Sequence, residues 1–362
     1  MKPQSRAVTM SHPRPTPVPR VQPRFLRIAE RLPLPLLRRA VARDVLALFY
    51  HTVAGAALPH VAPLYACKSA SEFERDLRYL KEHFTPVSHE DLVAARERGR
   101  PLPANAVSIT FDDGFAECHA TARPLLLKHG VPCTFFVIET AIGNRAMMHR
   151  NKVALCLARL EAAAAGEAGA LLDAVANSCR RRFASLASLR AWAAGLRFRD
   201  RDAIDALCEA LGVDIAAYLR ERRPYLDESQ LDSLLRDGFT LGAHTLEHPE
   251  LAELPWMEAS HQIAESCKRM RERTGRVRVP FAFPFNGLAL PRGPLAALRD
   301  ELGSIDLMYD TNNLMRDRAF IVNRIWCDFP ARSLEDTNLP ALLARAHALE
   351  PLRAARRRFT LH

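Results

Sequence analysis

The 362-residue sequence lacks several features that would each have fixed its class at once. Its eight cysteines, at positions 67, 118, 133, 156, 179, 208, 267 and 327, never form a Cys-x-x-Cys pair. Neither a zinc knuckle nor a disulfide framework is therefore expected, and the thiols read as free or buried ones of a reducing compartment. No apolar run approaches the ~20 residues that a spanning helix needs. The basic N-terminus is followed by no apolar segment with a small-residue cleavage site, so no signal peptide is expected. Aromatic residues make up only 7% and form no RNA-binding motif, so the formal charge of +10 is not read as nucleic-acid binding. No internal repeat is visible. Acids are scarce in residues 1–40, which are rich in Arg and Pro, and Leu352–His362 carries Arg-Ala-Ala-Arg-Arg-Arg. Both ends are expected to be loose basic arms, with contact to an anionic membrane as their sharper use. The resulting expectation is a cytoplasmic protein, peripheral to the inner membrane face.

What remains, at 48% hydrophobic and 25% charged residues, is ordinary globular composition. Short apolar, β-branched runs alternate with helical patterns. Strands are expected at 45–51, 106–111, 131–138, 239–243, 277–283, 305–309 and 321–326. Helices are expected from a cap at Ser71, over 90–98, 116–129, 228–238, 256–273 and 293–302, with a helical, basic tail at 336–362. Strand, helix, strand at this spacing implies right-handed parallel crossovers, hence an α/β barrel or a doubly wound sheet. From 144 to 224, Ala, Leu and Arg dominate and strand signals vanish, which predicts a mostly helical insertion. The main domain is then assigned to 41–143 and 225–335.

Two stretches carry chemistry. Val107–Gly114 is a strand ending in Asp112-Asp113-Gly114, placing two carboxylates where parallel α/β folds bind ligands. Leu241–His248 ends another strand and carries His244 and His248, four apart, as on one face of a helical turn. Two histidines and a carboxylate form a ligand set for catalytic zinc, and also for iron and other divalent ions.

Thr110-Phe-Asp-Asp-Gly114 followed by His244-Thr-x-x-His248 resembles the first two motifs of the polysaccharide deacetylases, the NodB-homology or carbohydrate esterase family 4 proteins. Phe281-Ala-Phe-Pro-Phe-Asn-Gly287 is similar to a third. The resemblance spans about 45–140 and 227–330. It implies a distorted (β/α) barrel of the NodB-homology type and removal of an N-acetyl group from an amino sugar of a polysaccharide or glycolipid. It also implies a divalent metal, with Zn2+ the expected ion, held by Asp113, His244 and His248. Asp112 is then the general base, Thr245 supports His248 by a hydrogen bond, and a backbone N–H near Phe285 faces the oxyanion.

The resemblance leaves two places open. The family's usual C-terminal acid finds only His347 and His362 here, whereas Tyr50-His51-Thr52 is similar to an N-terminal variant, making His51 the expected acid. The arginine that many members carry two residues before Pro284 is replaced by Ala282, and Arg324 is the expected substitute for holding Asp112. Met147–Asn151 would line the cleft, with His149 a candidate extra ligand, and the insertion is either a lid or a peripheral pack. The expected partner is an N-acetylated glycan or a lipid-linked sugar, with no nucleic acid. The competing readings are a deformylase, an O-deacetylase, and a non-catalytic glycan-binding homologue.

Overall fold

A computed structural model describes residues 41, 43–329 and 338–360. The N-terminal segment 1–40 lies outside these residues, as do residues 330–337 and the final two. The side chains of the terminal arginine run from 356 on also lie outside them.

Seven parallel strands close into a barrel: β1 (Leu46–Tyr50), β3 (Ala106–Phe111), β4 (Thr134–Val137), β5 (Thr240–Ala243), β6 (Val279–Ala282), β7 (Ile305–Asp310) and β8 (Ile321–Trp326). Closure comes from β1, which pairs with β8 at Ala47↔Arg324 and Phe49↔Trp326, and with β3 from Leu46↔Val107 to Tyr50↔Phe111. A two-residue strand, β2 (Thr85–Pro86), adds to β3 ahead of β4 on the same edge. It is too short to leave a sequence pattern. The ring is distorted: β5 meets β6 through the single pair Ala243↔Phe281, and the register slips between Val279 and Phe281 against β7. Strands buried on both faces explain the continuous apolar runs, since interior and outer faces are both covered.

Helices α1 (Ala70–His83), α2 (His89–Arg98), α3 (Arg123–His129), α9 (Glu228–Arg236), α10 (Trp256–Thr274) and α11 (Arg292–Leu302) belong to the barrel units. Phe73, Leu77 and Leu80 of α1 and Ile263, Cys267 and Met270 of α10 are fully buried or nearly so. Each such side chain contributes roughly 1.5–3 kcal/mol. Two local expectations are corrected. The cap of α1 is Ser69, not Ser71: Ser69 accepts from Glu72 N–H at 3.3 Å and its own N–H donates to the Glu72 carboxylate at 2.8 Å. The segment 116–129 is not one α-helix but a π-helical turn, Cys118–Ala122, followed by α3. Pro124 has no N–H to continue the regular ladder, and a wider turn accommodates it.

Between β4 and α9 the chain forms α4 (His149–Glu161), α5 (Ala168–Cys179), α6 (Leu186–Ala194), α7 (Arg201–Ala210) and α8 (Ile215–Arg222). Val153, Cys156, Leu160, Val175, Leu189, Ile204 and Leu207 make a separate apolar cluster there. Tyr225 ties it to the barrel: its hydroxyl accepts from Met148 N–H at 3.1 Å and donates to Asn151 Oδ1 at 2.5 Å. The C-terminal helix α12 (Asn338–Thr360) buries Leu339 and Leu343. All eight cysteines are free. No helix among the described residues is long and apolar enough to cross a membrane.

Candidate active site

At the carboxyl end of β3 the two aspartates part company. Asp112 keeps the strand direction, its N–H donating to Tyr50 C=O at 2.9 Å. Asp113 turns into the left-handed region at φ 68°, followed by Gly114 at φ 71°. A Cβ on Gly114 would lie 2.9 Å from Val137 Cγ1, so the turn needs glycine for space as well as for φ. This reversal lets neighbours in sequence address different partners from one strand end.

Asp113 faces the histidines after β5. Its Oδ1 lies 3.4 Å from His244 Nε2 and 3.2 Å from His248 Nε2. Among the described residues these three form the one group of ligand atoms lying within 4.8 Å of one another, and all three are buried. His149, the candidate extra ligand, is not in it. The helical turn expected at 244–248 is replaced by a bend in which Thr245 (φ 65°) and His248 (φ 61°) are both left-handed. Thr245 drives the bend with its side chain, whose Oγ1 donates to His244 C=O at 2.5 Å and accepts from His248 N–H at 2.9 Å. Thr245 thus supports His248 through the backbone rather than through the ring. His244 Nδ1 donates to Ala282 C=O at 2.8 Å, which fixes its tautomer and leaves Nε2 bare toward Asp113. Gly242 allows the strand to sit this close, because a Cβ there would meet the Phe136 ring at 2.5 Å.

The donor set fits a divalent ion. Asp113 Oδ1 is buried without a hydrogen-bond partner, the exception that buried carboxylates seldom show unless a cation completes them. Burial opposes the charge of Asp113, but His248 and His244 hold its carboxyl well below the usual carboxylate range. Burial lowers the pKa of His248, the direction that keeps a ligand imidazole neutral.

Asp112 points into the barrel and meets Arg324 of β8 in a bidentate pair, at 2.6 Å to Oδ1 and 2.8 Å to Oδ2. Arg324 is wholly buried, donates to Thr110 Oγ1 at 2.8 Å, and stacks over Phe49 with its guanidinium 4.6 Å from the ring centroid. The tether comes from β8, separated from β3 by β1 alone, where the segment around Ala282 supplies none.

His51 follows β1. Its Nδ1 donates to Asp328 Oδ2 at 2.5 Å, while its backbone N–H donates to Asp328 Oδ1 at 2.9 Å. Trp326 Nε1–H also donates to Asp328 Oδ2, at 2.5 Å. Burial, the largest single influence, works to lower the His51 pKa, but the carboxylates of Asp328, Asp113 and Asp112 together outweigh it, Asp328 most, and the imidazole is pushed up to about 9. Tyr65 and Trp326 pack on it with ring centroids at 4.9 and 5.6 Å. Phe285 is left-handed at φ 57°, and its carbonyl accepts from Thr311 Oγ1 at 2.5 Å. Its ring, 38% exposed, sits 4.8 Å from that of His248. His347 is instead buried on α12 with Nδ1 at 2.8 Å from Leu343 C=O, and His362 lies outside the described residues.

Sequence reading missed Asp328, Tyr65 and Glu250. Asp328 had one available signal, a carboxylate just past the end of the strand that carries Arg324. Tyr65 and Glu250 had none.

Residues 99–171 match the family model described as polysaccharide deacetylase. No curated protein matches the chain. Among solved structures, the chain is similar to the Streptococcus pyogenes deacetylase PplD in complex with acetate. That likeness has a TM-score of 0.50 and 14% identity, covering 78% of this chain and 92% of that one, and it shows a shared fold. IcaB from Ammonifex degensii is similar at 17% identity and TM-score 0.48, over 83% of this chain and 97% of that one. The BpsB deacetylase domain from Bordetella bronchiseptica matches at 16% identity and TM-score 0.45, over 79% and 96%.

Proposed function

From the match of residues 99–171 to the polysaccharide deacetylase family model, we propose that the chain is a metal-dependent hydrolase removing an N-acetyl group from an amino sugar. The observation that carries this reading is the convergence of a buried Asp113–His244–His248 set with an arginine-clamped Asp112 and an aspartate-paired His51 at the carboxyl ends of β1, β3 and β5.

Asp113, His244 and His248 would hold the ion, with Zn2+ the ion that best suits two imidazoles and one carboxylate. When bound, it supplies Lewis acidity, lowering the pKa of a water toward ~7 and polarising an acyl carbonyl. The protein's own groups do the rest. Asp112 takes the proton from the attacking water, and its two bonds from Arg324 fix the carboxylate and keep its charge compensated. His51, protonated below about 9 because Asp328 stabilises its cation, gives a proton to the leaving amine. The Phe285 backbone N–H is the proposed donor to the developing oxyanion, in a left-handed turn whose carbonyl accepts from Thr311. Tyr65, Trp326 and Phe285 give the cleft an aromatic lining suited to the apolar faces of a sugar ring.

An N-acetylated glycan or a lipid-linked N-acetyl sugar is the proposed substrate, met at the cytoplasmic face of the membrane. The test is metal content of the purified protein and of His244→Ala, followed by acetate release from N-acetylglucosamine oligomers and from a lipid-linked N-acetyl sugar. One divalent ion per chain, lost in the variant, together with acetate release that Asp112→Asn abolishes, supports the reading. A metal-loaded protein that releases no acetate from either substrate refutes it.

A further inference from the structure

The two histidine ligands are supported unequally. His244 donates its outer nitrogen to Ala282 C=O, whereas His248 Nδ1 is buried with no partner among the described residues. The His248 ring is flanked instead by Phe285 and, with centroids 6.5 Å apart, by His149. His149 is the first residue of α4, is 5% exposed, and has both ring nitrogens buried without a hydrogen-bond partner. Its Nε2 lies 3.4 Å from Glu250 Oε1, two residues beyond His248. The other oxygen of Glu250 accepts from Phe198 N–H at 3.1 Å, and the Phe198 ring packs edge-on against His149 at 5.8 Å. One carboxylate on the ligand loop therefore joins two separate points of the insertion.

We propose that His149 and Glu250 are positioning residues through which the 144–224 insertion fixes ligand His248, in place of the direct hydrogen bond that His244 enjoys. The proposal rests on the metal site advanced above. Barrel elements hold the His248 backbone through Thr245 and pack Phe285 against its ring, but none of the described residues hydrogen-bonds its Nδ1. Hydrogen-bonded supports outside a ligand set are worth about 10- to 100-fold in metal affinity; this pair acts through packing on the ring and hold on the loop, so the lower end of that range is expected. The role of the insertion is thereby specified: it is part of the frame of the metal site, not a pack remote from it. Arg199 provides an internal comparison, since it reaches the same loop through an ion pair with Glu253 at 3.1 Å and, among the described residues, has no ion pair with Glu250.

The experiment uses the full chain and four variants. Glu250→Gln keeps shape and removes charge; His149→Phe keeps a ring and removes its nitrogens; Arg199→Ala breaks the neighbouring exposed pair; His244→Ala removes a ligand. Zinc affinity is read by chelator competition, and ligand geometry by the visible absorption of the Co(II)-substituted protein. The expected result is roughly 10-fold or greater weakening of zinc in Glu250→Gln and His149→Phe. Altered Co(II) bands should accompany it, with both readouts unchanged in Arg199→Ala. Wild-type affinity and bands in both pair variants overturn the proposal, as does equal weakening in Arg199→Ala. If one pair variant fails to fold by circular dichroism, the other decides. A wild-type protein that takes up no more metal than His244→Ala defeats the metal site itself, an outcome distinct from failure of the pair alone.

Discussion

Asp328→Asn isolates the electrostatic work done on His51, because the amide preserves shape and removes one charge. In the native protein the imidazole stands at about 9 against an ordinary 6.5. That difference corresponds to ~3 kcal/mol of preferential stabilisation of the cation. Burial alone pulls the other way and Asp328 is the strongest upward influence, so the substitution leaves only Asp113 and Asp112 to oppose burial. The pKa must fall toward, or below, the ordinary value. At pH 7.5 a group of pKa 9 is roughly 97% protonated and one of pKa 6.5 roughly 10%, so a reaction needing the His51 proton slows about 10-fold there. Near pH 5.5 the two proteins should differ little through this effect. The assay is acetate release across pH 5–10 for both proteins at fixed metal loading. In kcat/KM the native alkaline limb should fall near pH 9 and the variant's about two pH units lower. An alkaline limb that does not move, with activity lost equally at all pH values, would refute the assignment of His51 as a proton donor tuned by Asp328.

The other expectations are structural. Arg324→Ala leaves Asp112 buried and uncompensated, so unfolding free energy should drop by about 3–5 kcal/mol; a denaturant titration showing under ~1 kcal/mol would contradict the pairing. Arg324→Lys should recover part of that stability but not the activity, because an ammonium cannot reproduce the two-pronged contact. Gly242→Ala forces a methyl against Phe136 and should cost about 1–3 kcal/mol, measured by thermal unfolding. Ser69→Ala should cost ~1 kcal/mol through loss of the α1 cap, while Ser71→Ala should stay within about 0.5 kcal/mol; the reverse order would restore the cap to Ser71.

The barrel was legible because its strands are buried on both faces, leaving runs such as Val45–Tyr50 and Ala106–Phe111 without a charged residue. Asp113, His244 and His248, the candidate metal set, stood out for a different reason: carboxylates and imidazoles are out of place at the end of an apolar strand unless a loop there uses them. What stayed hidden depends on tertiary geometry. The bend at Thr245 and His248 uses left-handed conformations that no residue pattern announces, so a four-residue spacing suggested a helical turn instead. Asp328 becomes a partner of His51 only because β8 lies beside β1 in the closed ring. Ser69 and Ser71 both precede an apolar periodicity, and only the reach of Glu72 separates cap from bystander. His149 and Glu250 sit about a hundred residues apart and meet through the folding of the insertion.

Closure of the ring through β8 also has a bearing on how the chain acquires activity. Asp112, Asp113 and both ligand histidines belong to β3 and β5, but the clamp on Asp112 and the partner of His51 arrive only with Arg324 and Asp328, 212 and 277 residues later in sequence than the groups they serve. Pairings of such separation are made late, since the intervening chain must be ordered before they stabilise anything. On the proposed mechanism, a chain emerging from the ribosome displays Asp113, His244 and His248 well before Asp112 is clamped by Arg324 and His51 is paired with Asp328. If that mechanism holds, competence comes with the last strand, and a chain truncated before β8 is expected to be inert toward substrate even where it still binds an ion.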